Sequence, residues 1–477
     1  SGTASNLTIN TTGTVSASTI GTDIGTVTVT QSGGTTFSST VDAATVTLTN
    51  TTGTITFSGA LTATTLNTAA QGYNVAINAG GTITNAVTFS NTGTVTLVGT
   101  TAFTGGVTAT APSSKTINGT VTAAGTGVIN LGTSGITVSG TSTVGGTSTG
   151  QITLGAATLS DGVTLTVGTG RANILSLSSV TGTTSGTASN LTINTTGAVT
   201  VSGAVGTDIG TVTITRSGGV TFSSTINAAT IIISNSTTSA NITFNDNVTA
   251  TTGLTVSTGT AAYNVVFNGS SNTIAGATTF SNLGTVTLGN GSDTIAFTGG
   301  VTATAPSGII LNGTITAAGT AVITLGDSNT GISVNGNSTV GGTSTGQITL
   351  GDSTLASGTT LTVGTGATTP ITLATVNGSS GTPNLTINTA GTVSVDAVGS
   401  NIGTVTITQS GGTTFSSTVN AATVTLTDTA DSANITFNGA LTATTLSTAA
   451  QGYNVAINAG GTITNAVTFS NTGTVTL

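Results

Sequence analysis

The most constraining feature of this sequence is that it repeats itself almost verbatim over a long period. The segments 59–97 and 439–477 agree at every position but one, where Asn67 stands opposite Ser447. The three tyrosines of the chain, Tyr73, Tyr263 and Tyr453, are separated by two equal steps. Self-similarity at a fixed period is the signature of a repeat architecture, in which each unit packs only against its neighbours.

The long period divides the chain into three copies of one unit. The first ten residues recur verbatim at 185–194, and a variant of them ends at Asn388. We therefore place the first long repeat at residues 1–184, the second at 185–379 and a partial third at 380–477, all within one continuous solenoid. The first and third copies match each other best, which indicates recent duplication.

A shorter repeat lies inside the long one. Segments that alternate threonine with aliphatic residues recur at short and regular steps, as at Thr26–Thr30 and Thr45–Thr49. Weaker segments of the same kind lie between them, so strands are expected about every ten residues along the chain. Glycine and asparagine stand at the junctions, where turns need a left-handed backbone.

The return of one strand type favours a parallel coil over an antiparallel sandwich, because a coil brings each residue back above its equivalent. We predict an all-β fold, a right-handed parallel β-helix (a β-solenoid) with circuits of about 19–20 residues and roughly 24 circuits in total. Successive strand residues point to opposite sides. The inward positions are then Val27, Val29, Val46 and Leu48.

Aromatic and asparagine side chains are expected to stack on their equivalents in neighbouring circuits. Phe37, Phe57 and Phe89 share the phase of the inward aliphatic residues, which predicts core stacking and not a binding platform. Asparagines that close strands are expected to form amide ladders. These asparagines are Asn10, Asn78, Asn118 and Asn194.

Charged side chains are scarce, and this excludes whole classes of partner. They make up 3% of the residues, against about a quarter in ordinary domains. The basic residues are only Lys115, Arg171 and Arg216, so no patch can neutralise phosphates and nucleic acid is excluded as a partner. No apolar run reaches the ~18 residues of a membrane helix, and we expect no membrane insertion.

Two of the basic residues can be compared with their equivalents in other copies. Lys115 corresponds to Ile309, and Arg216 corresponds to Gln31 and Gln409. We expect both to occupy surface positions that tolerate substitution.

The residue types that build catalytic sites are mostly missing. The chain has no His, no Cys and no Glu, so neither a catalytic triad nor a zinc site can be assembled. Asp23 and Asp208 correspond to Asn401, and Asp161 corresponds to Ser357. An amide cannot replace a carboxylate in acid–base work. We predict that the protein is not an enzyme, with no catalytic residue and no cofactor.

One aspartate lies in a segment that is typical of calcium binding. The segment 289–295, which contains Asp293, resembles half of the calcium-binding nonapeptide of RTX proteins, in which successive circuits share an ion. Such sites need tandem copies, and this chain has one. The first copy is shorter in the corresponding segment, so a loop insertion is the favoured interpretation. Asp293 is a weak calcium candidate, and no other metal ligand is predicted.

Taken together, the short regular circuits, units such as Gly25–Thr30 and Gly93–Leu97, and the lack of cysteine resemble a known family. They are similar to the β-helical shafts of filamentous-haemagglutinin-type exoproteins and autotransporter passengers, over the whole chain. The resemblance implies a bacterial protein that is extracellular or on the cell surface and projects binding regions away from the cell. Host or surface ligands are its implied partners.

The functional prediction is a structural extracellular fibre or adhesin stalk made of tandem β-solenoid repeats. An ice- or surface-binding protein with a flat threonine array is the alternative, although threonine occurs in almost every strand and not on one side only. A functional amyloid of stacked chains and a pectin-cleaving type of β-helix enzyme rank lower.

Both chain ends fall inside the repeat pattern. Ser1 stands at the same point of the long repeat as Ser185, and Leu477 follows a Thr-Val-Thr strand in the middle of the third copy. Solenoids normally end in atypical capping repeats. We expect these residues to belong to a longer array or an end-to-end polymer, whose further repeats or neighbouring copies are the partners.

Overall fold

The computed structural model describes residues 3–184 and 186–477, and no helix occurs in these two ranges. The chain divides into two compact units, Ser1–Thr237 and Thr238–Leu477. Each unit is a stack of parallel strands, and the two contain about 22 circuits of a β-solenoid. The all-β solenoid prediction is confirmed, with slightly fewer circuits than the roughly 24 expected from the rung geometry.

Short strands, separated by brief turns, make up the described part of the first unit. In chain order their bounds are β1 Ser5–Asn10, β2 Val15–Ala17, β3 Ile24–Ser32, β4 Thr35–Phe37, β5 Val41–Thr51, β6 Thr54–Phe57, β7 Leu61–Thr68, β8 Asn74–Ile77, β9 Gly81–Ile83, β10 Val87–Thr88, β11 Thr94–Phe103, β12 Val107–Thr108, β13 Ser114–Ala123, β14 Ile129–Asn130, β15 Ile136–Val138, β16 Ser142–Gly146, β17 Ile152–Leu154, β18 Ala157–Leu159, β19 Thr164–Val167, β20 Leu175–Leu177, β21 Val180–Gly182, β22 Ser189–Asn194, β23 Val199–Val201, β24 Val205–Gly206, β25 Ile209–Arg216, β26 Val220–Phe222 and β27 Ile226–Ile233.

The second unit is built in the same way. Its strands are β28 Asn241–Phe244, β29 Val248–Val256, β30 Asn264–Phe267, β31 Ser271–Ile274, β32 Thr278–Thr279, β33 Thr285–Phe297, β34 Val301–Ala303, β35 Gly308–Ala317, β36 Ile323–Leu325, β37 Ile332–Val334, β38 Ser338–Gly342, β39 Ile348–Leu350, β40 Ser353–Leu355, β41 Thr360–Val363, β42 Ile371–Leu373, β43 Val376–Gly378, β44 Asn384–Asn388, β45 Val393–Val395, β46 Val398–Gln409, β47 Thr413–Phe415, β48 Val419–Leu426, β49 Asn434–Phe437, β50 Leu441–Thr448, β51 Asn454–Ile457, β52 Gly461–Ile463 and β53 Val475–Thr476.

Each circuit of the first unit carries three strand segments, which stack into three parallel files. We name them face A, which passes through Val27 and Val46, face B, which passes through Thr35 and Ile55, and face C, which passes through Val41 and Leu61. The strand spacing inferred from the sequence predicted two segments per circuit. The third segment was missed because it is short and lacks the Thr-Val-Thr pattern.

The second unit also has three files, which we name separately. Face D passes through Val265, Val286 and Ile309, face E through Ile295 and Ile315, and face F through Val301 and Ile323.

Neighbouring strands are parallel, but the circuits differ in length. Val27 pairs with Val46 after a short circuit, whereas Leu165 pairs with Leu191 only after a considerably longer one. The predicted uniform circuit of about 19–20 residues, one rung of a regular solenoid, is therefore wrong for part of the chain. The additional residues between Leu165 and Leu191 lie in turns, because the strand segments are held by inter-strand hydrogen bonds and by the core. The right-handed winding stays a prediction.

The core consists of the inward residues of each strand. Val27, Val29 and Val46 have no exposed surface, and Leu48 is 1% exposed, which confirms the predicted phase. Burial of each such side chain contributes about 1.5–3 kcal/mol.

Aromatic rings stack between circuits as expected. The Phe37 and Phe57 rings lie with their centroids 5.1 Å apart at an angle of 9°. In the second unit, Phe415 and Phe437 are 4.9 Å apart at 3°. Phe89 instead meets Phe103 edge-on, with the ring centroids 6.0 Å apart. All of these phenylalanines are buried, so the prediction of core stacking is confirmed.

Candidate functional site

Files of threonine are the most regular feature of the outer surface. On face B, threonines occupy the outward position of successive circuits at Thr96, Thr116, Thr137, Thr158 and Thr181. On face A, Thr26 and Thr28 lie beside Thr45 and Thr47. We call these four residues the two-threonine patch, because each of the two strands contributes two threonines. Adjacent circuits are about 4.8 Å apart. The surface thus offers closely spaced hydroxyl and methyl groups.

Asparagine ladders occur on the surface of the second unit. The Asn264 amide donates to Asn241 Oδ1 over 2.8 Å, and the Asn268 amide donates to Asn245 Oδ1 over 3.0 Å. The third copy forms the same two bonds, between Asn454 and Asn434 and between Asn458 and Asn438. Asn78 was predicted to join such a ladder. Asn78 has a serine, Ser58, one circuit before it, so it has no asparagine there to bond with. Its equivalents Asn268 and Asn458 do have one, and they form the ladders.

The interchange of aspartate and asparagine between copies has a backbone cause. Asp23, Asp208 and Asn401 all have a left-handed backbone, with φ of 70°, 57° and 64°. Aspartate and asparagine tolerate this conformation better than other residues with a side chain. The position therefore selects for a turn former, with or without a charge.

Asp293, the weak calcium candidate, is turned into its own loop. It is 7% exposed, and its Oδ2 accepts the backbone N–H of Asn290 over 2.7 Å. Strand pairing skips from Leu288 to Asp293 at this point, so the extra residues form a bulge. Within residues 3–184 and 186–477, no group of three or more acids, histidines or cysteines could hold a metal ion.

A shallow groove in the second unit brings three aspartates to one surface, where sequence reasoning had not grouped them. It is lined by Asp327, Asp352 and Asp396 together with threonines and serines. Asp327 Oδ1 accepts the N–H groups of Asn329 and Thr330 over 2.7 and 2.8 Å, and Asp352 Oδ1 accepts the N–H of Thr375 over 3.1 Å. The Asp327 carboxylate therefore holds its own turn, whereas the Asp352 carboxylate bonds to the backbone of the next circuit. Their grouping depends on circuits longer than predicted, which the sequence pattern did not indicate.

Lys115 is a core residue, so its predicted surface position is wrong. It lies on face B between Val95 and Ile136 and is 2% exposed. Its Nζ donates to the Ser134 hydroxyl and, over 3.4 Å, to the Ala109 carbonyl. Burial lowers the pKa of the Lys115 amine. The hydrophobic equivalent in the second copy was the signal that could have indicated a core position.

Arg216 is exposed, as expected from its glutamine equivalents.

No helix in the described part of the chain is long and apolar enough to cross a membrane. No family model, curated protein or solved structure matches this chain.

Proposed function

We propose that the chain is the shaft of an extracellular fibre or adhesin stalk, of the kind found in filamentous-haemagglutinin-type exoproteins and autotransporter passengers. The observation that supports this proposal is the way in which copies join. In the first unit, Leu191 near the start of the second copy pairs with Leu165 in the first copy and with Val212 further on. Pairing thus continues through the junction.

The second unit supports the same proposal at the next junction. Leu385, near the start of the third copy, pairs with Leu361 in the second copy and with Val405 in the third. Because each copy offers its successor a ready strand edge and core, the number of copies can set the length of a shaft. Further copies, joined end to end, are the proposed structural partners.

The surface chemistry fits a scaffold role. The outward groups are hydroxyls and amides in files, and the carboxylates of Asp293 and Asp327 accept backbone N–H groups in turns. A shaft needs only such a hydrophilic surface and a continuous core. We therefore propose that the protein is not an enzyme. We also propose that host or surface ligands bind to regions that the shaft projects away from the cell.

An antibody raised against the folded chain tests the location. Immunogold electron microscopy would compare intact and permeabilised producing cells. A fibre shaft predicts gold on filaments outside intact cells. Gold that appears only after permeabilisation would contradict the proposal.

The threonine files favour one alternative, binding to ice or another crystalline surface. An ice-recrystallisation assay separates the two functions, because the shaft predicts no effect on crystal growth. Inhibition that is lost in Thr28→Lys/Thr47→Lys, on the two-threonine patch, but kept in Thr137→Lys/Thr158→Lys, on face B, would favour the alternative.

A further inference from the structure

Equivalent residues of successive copies lie on different faces of the first unit. Val27 and Val212 stand at the same place in the long repeat, in the segments Gly-Thr-Val-Thr. Val27 lies on face A. Val212 pairs with Leu191, in the file of face C. The repeat therefore does not close after a whole number of circuits.

The length of one copy can be counted along face A. From Val27, the file reaches Val199 after eight circuits, through Val46, Leu66, Val87, Val107, Ile129, Ile152 and Leu175. The chain then crosses face B at Val205 and arrives on face C at Val212. One copy thus spans eight circuits and two further faces, and the next copy begins one face short of a complete circuit.

The second unit gives the same count independently. Val265 and Val455 are equivalent residues, each two positions after a tyrosine. Face D runs from Val265 to Leu441 in eight circuits, through Val286, Ile309, Ile332, Ser353, Val376, Val398 and Val419. The chain then crosses face E at Leu446 and reaches face F at Val455.

The buried side chains of a copy change face in the same way as its surface residues. In the first copy, the hydroxyls of Ser32 and Thr51 bond over 3.0 Å at the corner that precedes face B. Their equivalents in the second copy, Ser217 and Ser236, bond over 2.8 Å. Ser217 comes shortly before Val220 on face A. The whole pattern of a copy, core and surface together, is therefore turned by one face.

We infer that the long repeat is a rotational unit, so that a surface displayed by one copy is displayed by the next copy on another side of the shaft. Thr26 and Thr28 of face A reappear as Thr211 and Thr213 on face C. Their neighbours there are Thr230, the equivalent of Thr45, and Ile232, which replaces Thr47, so three of the four threonines of the patch are kept. When every copy is displaced by one face from the copy before it, three successive copies place equivalent residues on all three faces. Such an array suits discrete partners that approach from several directions, since a single plane meets the same patch in only one copy of three.

The inference rests on the proposed array of joined copies, and fiducial labelling tests it separately from location. The full chain lacks cysteine, so Thr28→Cys/Thr213→Cys can be biotinylated at two equivalent sites only. Streptavidin bound to each site would be imaged by electron microscopy. The expected result is that the two markers project in different directions.

A matched pair on one face provides the control. Thr28→Cys/Thr221→Cys places both labels on face A, at almost the same separation along the chain, and its markers are expected on one side. If the markers of Thr28→Cys/Thr213→Cys also lie on one side, the rotational unit is overturned, whatever the immunogold result for the proposed function.

Discussion

At the scale of single residues, the other copies of the repeat act as natural substitutions. A polar residue that faces the core in one copy can be aliphatic in another, as with Lys115 and Ile309. Burying a polar group costs free energy unless it is fully hydrogen-bonded. The positions where one copy departs from the aliphatic pattern are therefore those where stability can be gained.

Lys115→Ile should raise the free energy of unfolding by about 1–3 kcal/mol at neutral pH, because it removes a buried amine. Urea unfolding measures this change. Arg216→Gln is the control, since Arg216 is exposed and its equivalents are glutamine; it should leave stability unchanged. A loss of stability in Lys115→Ile would show that the amine is better satisfied than its contacts indicate.

The Lys115 effect should depend on pH. Burial lowers the amine pKa below its ordinary 10.5. Between the folded and unfolded pKa values the unfolded chain binds the extra proton, so the wild-type protein gains stability as the pH rises towards 10.5. The advantage of Lys115→Ile should therefore shrink in that range. The buried tyrosines, whose pKa values are raised, affect both proteins equally. A constant difference in unfolding free energy up to pH 10.5 would contradict the lowered pKa.

Some inward threonines have hydroxyls without a partner, among them Thr278 and Thr413, each 1% exposed. Their equivalents in other copies include Val87 and Val220. Thr278→Val and Thr413→Val should each stabilise the protein by about 1–3 kcal/mol, because an unpaired buried hydroxyl is removed at nearly constant shape. Thr279→Val, on the exposed neighbour, should have no comparable effect on the thermal midpoint. Equal shifts at Thr278 and Thr279 would refute the explanation.

At the scale of strands and turns, the close stacking of circuits decides which residues fit. Gly81 has φ of 140°, and a Cβ there would lie 2.0 Å from the Leu61 carbonyl oxygen. No atom lies within 4 Å of the corresponding position at Gly72. Both glycines read as turn residues in the sequence, so only the structure separates a required glycine from a replaceable one.

Gly81→Ala should destabilise the protein by about 1–3 kcal/mol or more, through backbone strain and a clash with the neighbouring circuit. Gly72→Ala should change stability by less than about 1 kcal/mol. Chemical denaturation of the two variants checks this contrast. Similar losses in both would contradict the close approach at Gly81.

The bulge that holds Asp293 is the element on which the calcium question depends. Its carboxylate already accepts the N–H of Asn290, so the loop is held without an ion. Addition of a chelator should leave the thermal midpoint of the protein unchanged. A large loss of stability would mean that the segment 289–295 binds calcium.

The sequence predicted those strands in which threonine alternates with Val, Ile or Leu, because period-two burial is visible in the residue order. It did not predict the third face, whose segments such as Gly81–Ile83 are too short and too poor in aliphatic residues to stand out. It also did not predict the longest circuits, such as the one from Leu165 to Leu191, because the added residues lie in turns that leave no periodic signal. The groove at Asp327 depends on long circuits and was missed for the same reason.

At the scale of the whole molecule, one copy of the repeat continues into the next by strand pairing. Leu191 is the clearest case, since it pairs with strands of both copies in the first unit. A shaft whose length follows copy number requires this continuity. The continuous pairing also explains why a copy can end on any face, because every face offers the next copy an equivalent strand edge.

Disulfide trapping across the junction in the first unit tests this continuity most directly. Thr166 and Thr192 are outward neighbours on paired strands of successive copies, and strands about 4.8 Å apart bring their Cα atoms within disulfide range. Oxidation of Thr166→Cys/Thr192→Cys should give an intramolecular disulfide in nearly all molecules, whereas Thr158→Cys/Thr192→Cys, on different faces, should remain reduced. Failure of the first pair to cross-link, or equal cross-linking of both pairs, would contradict the continuous solenoid.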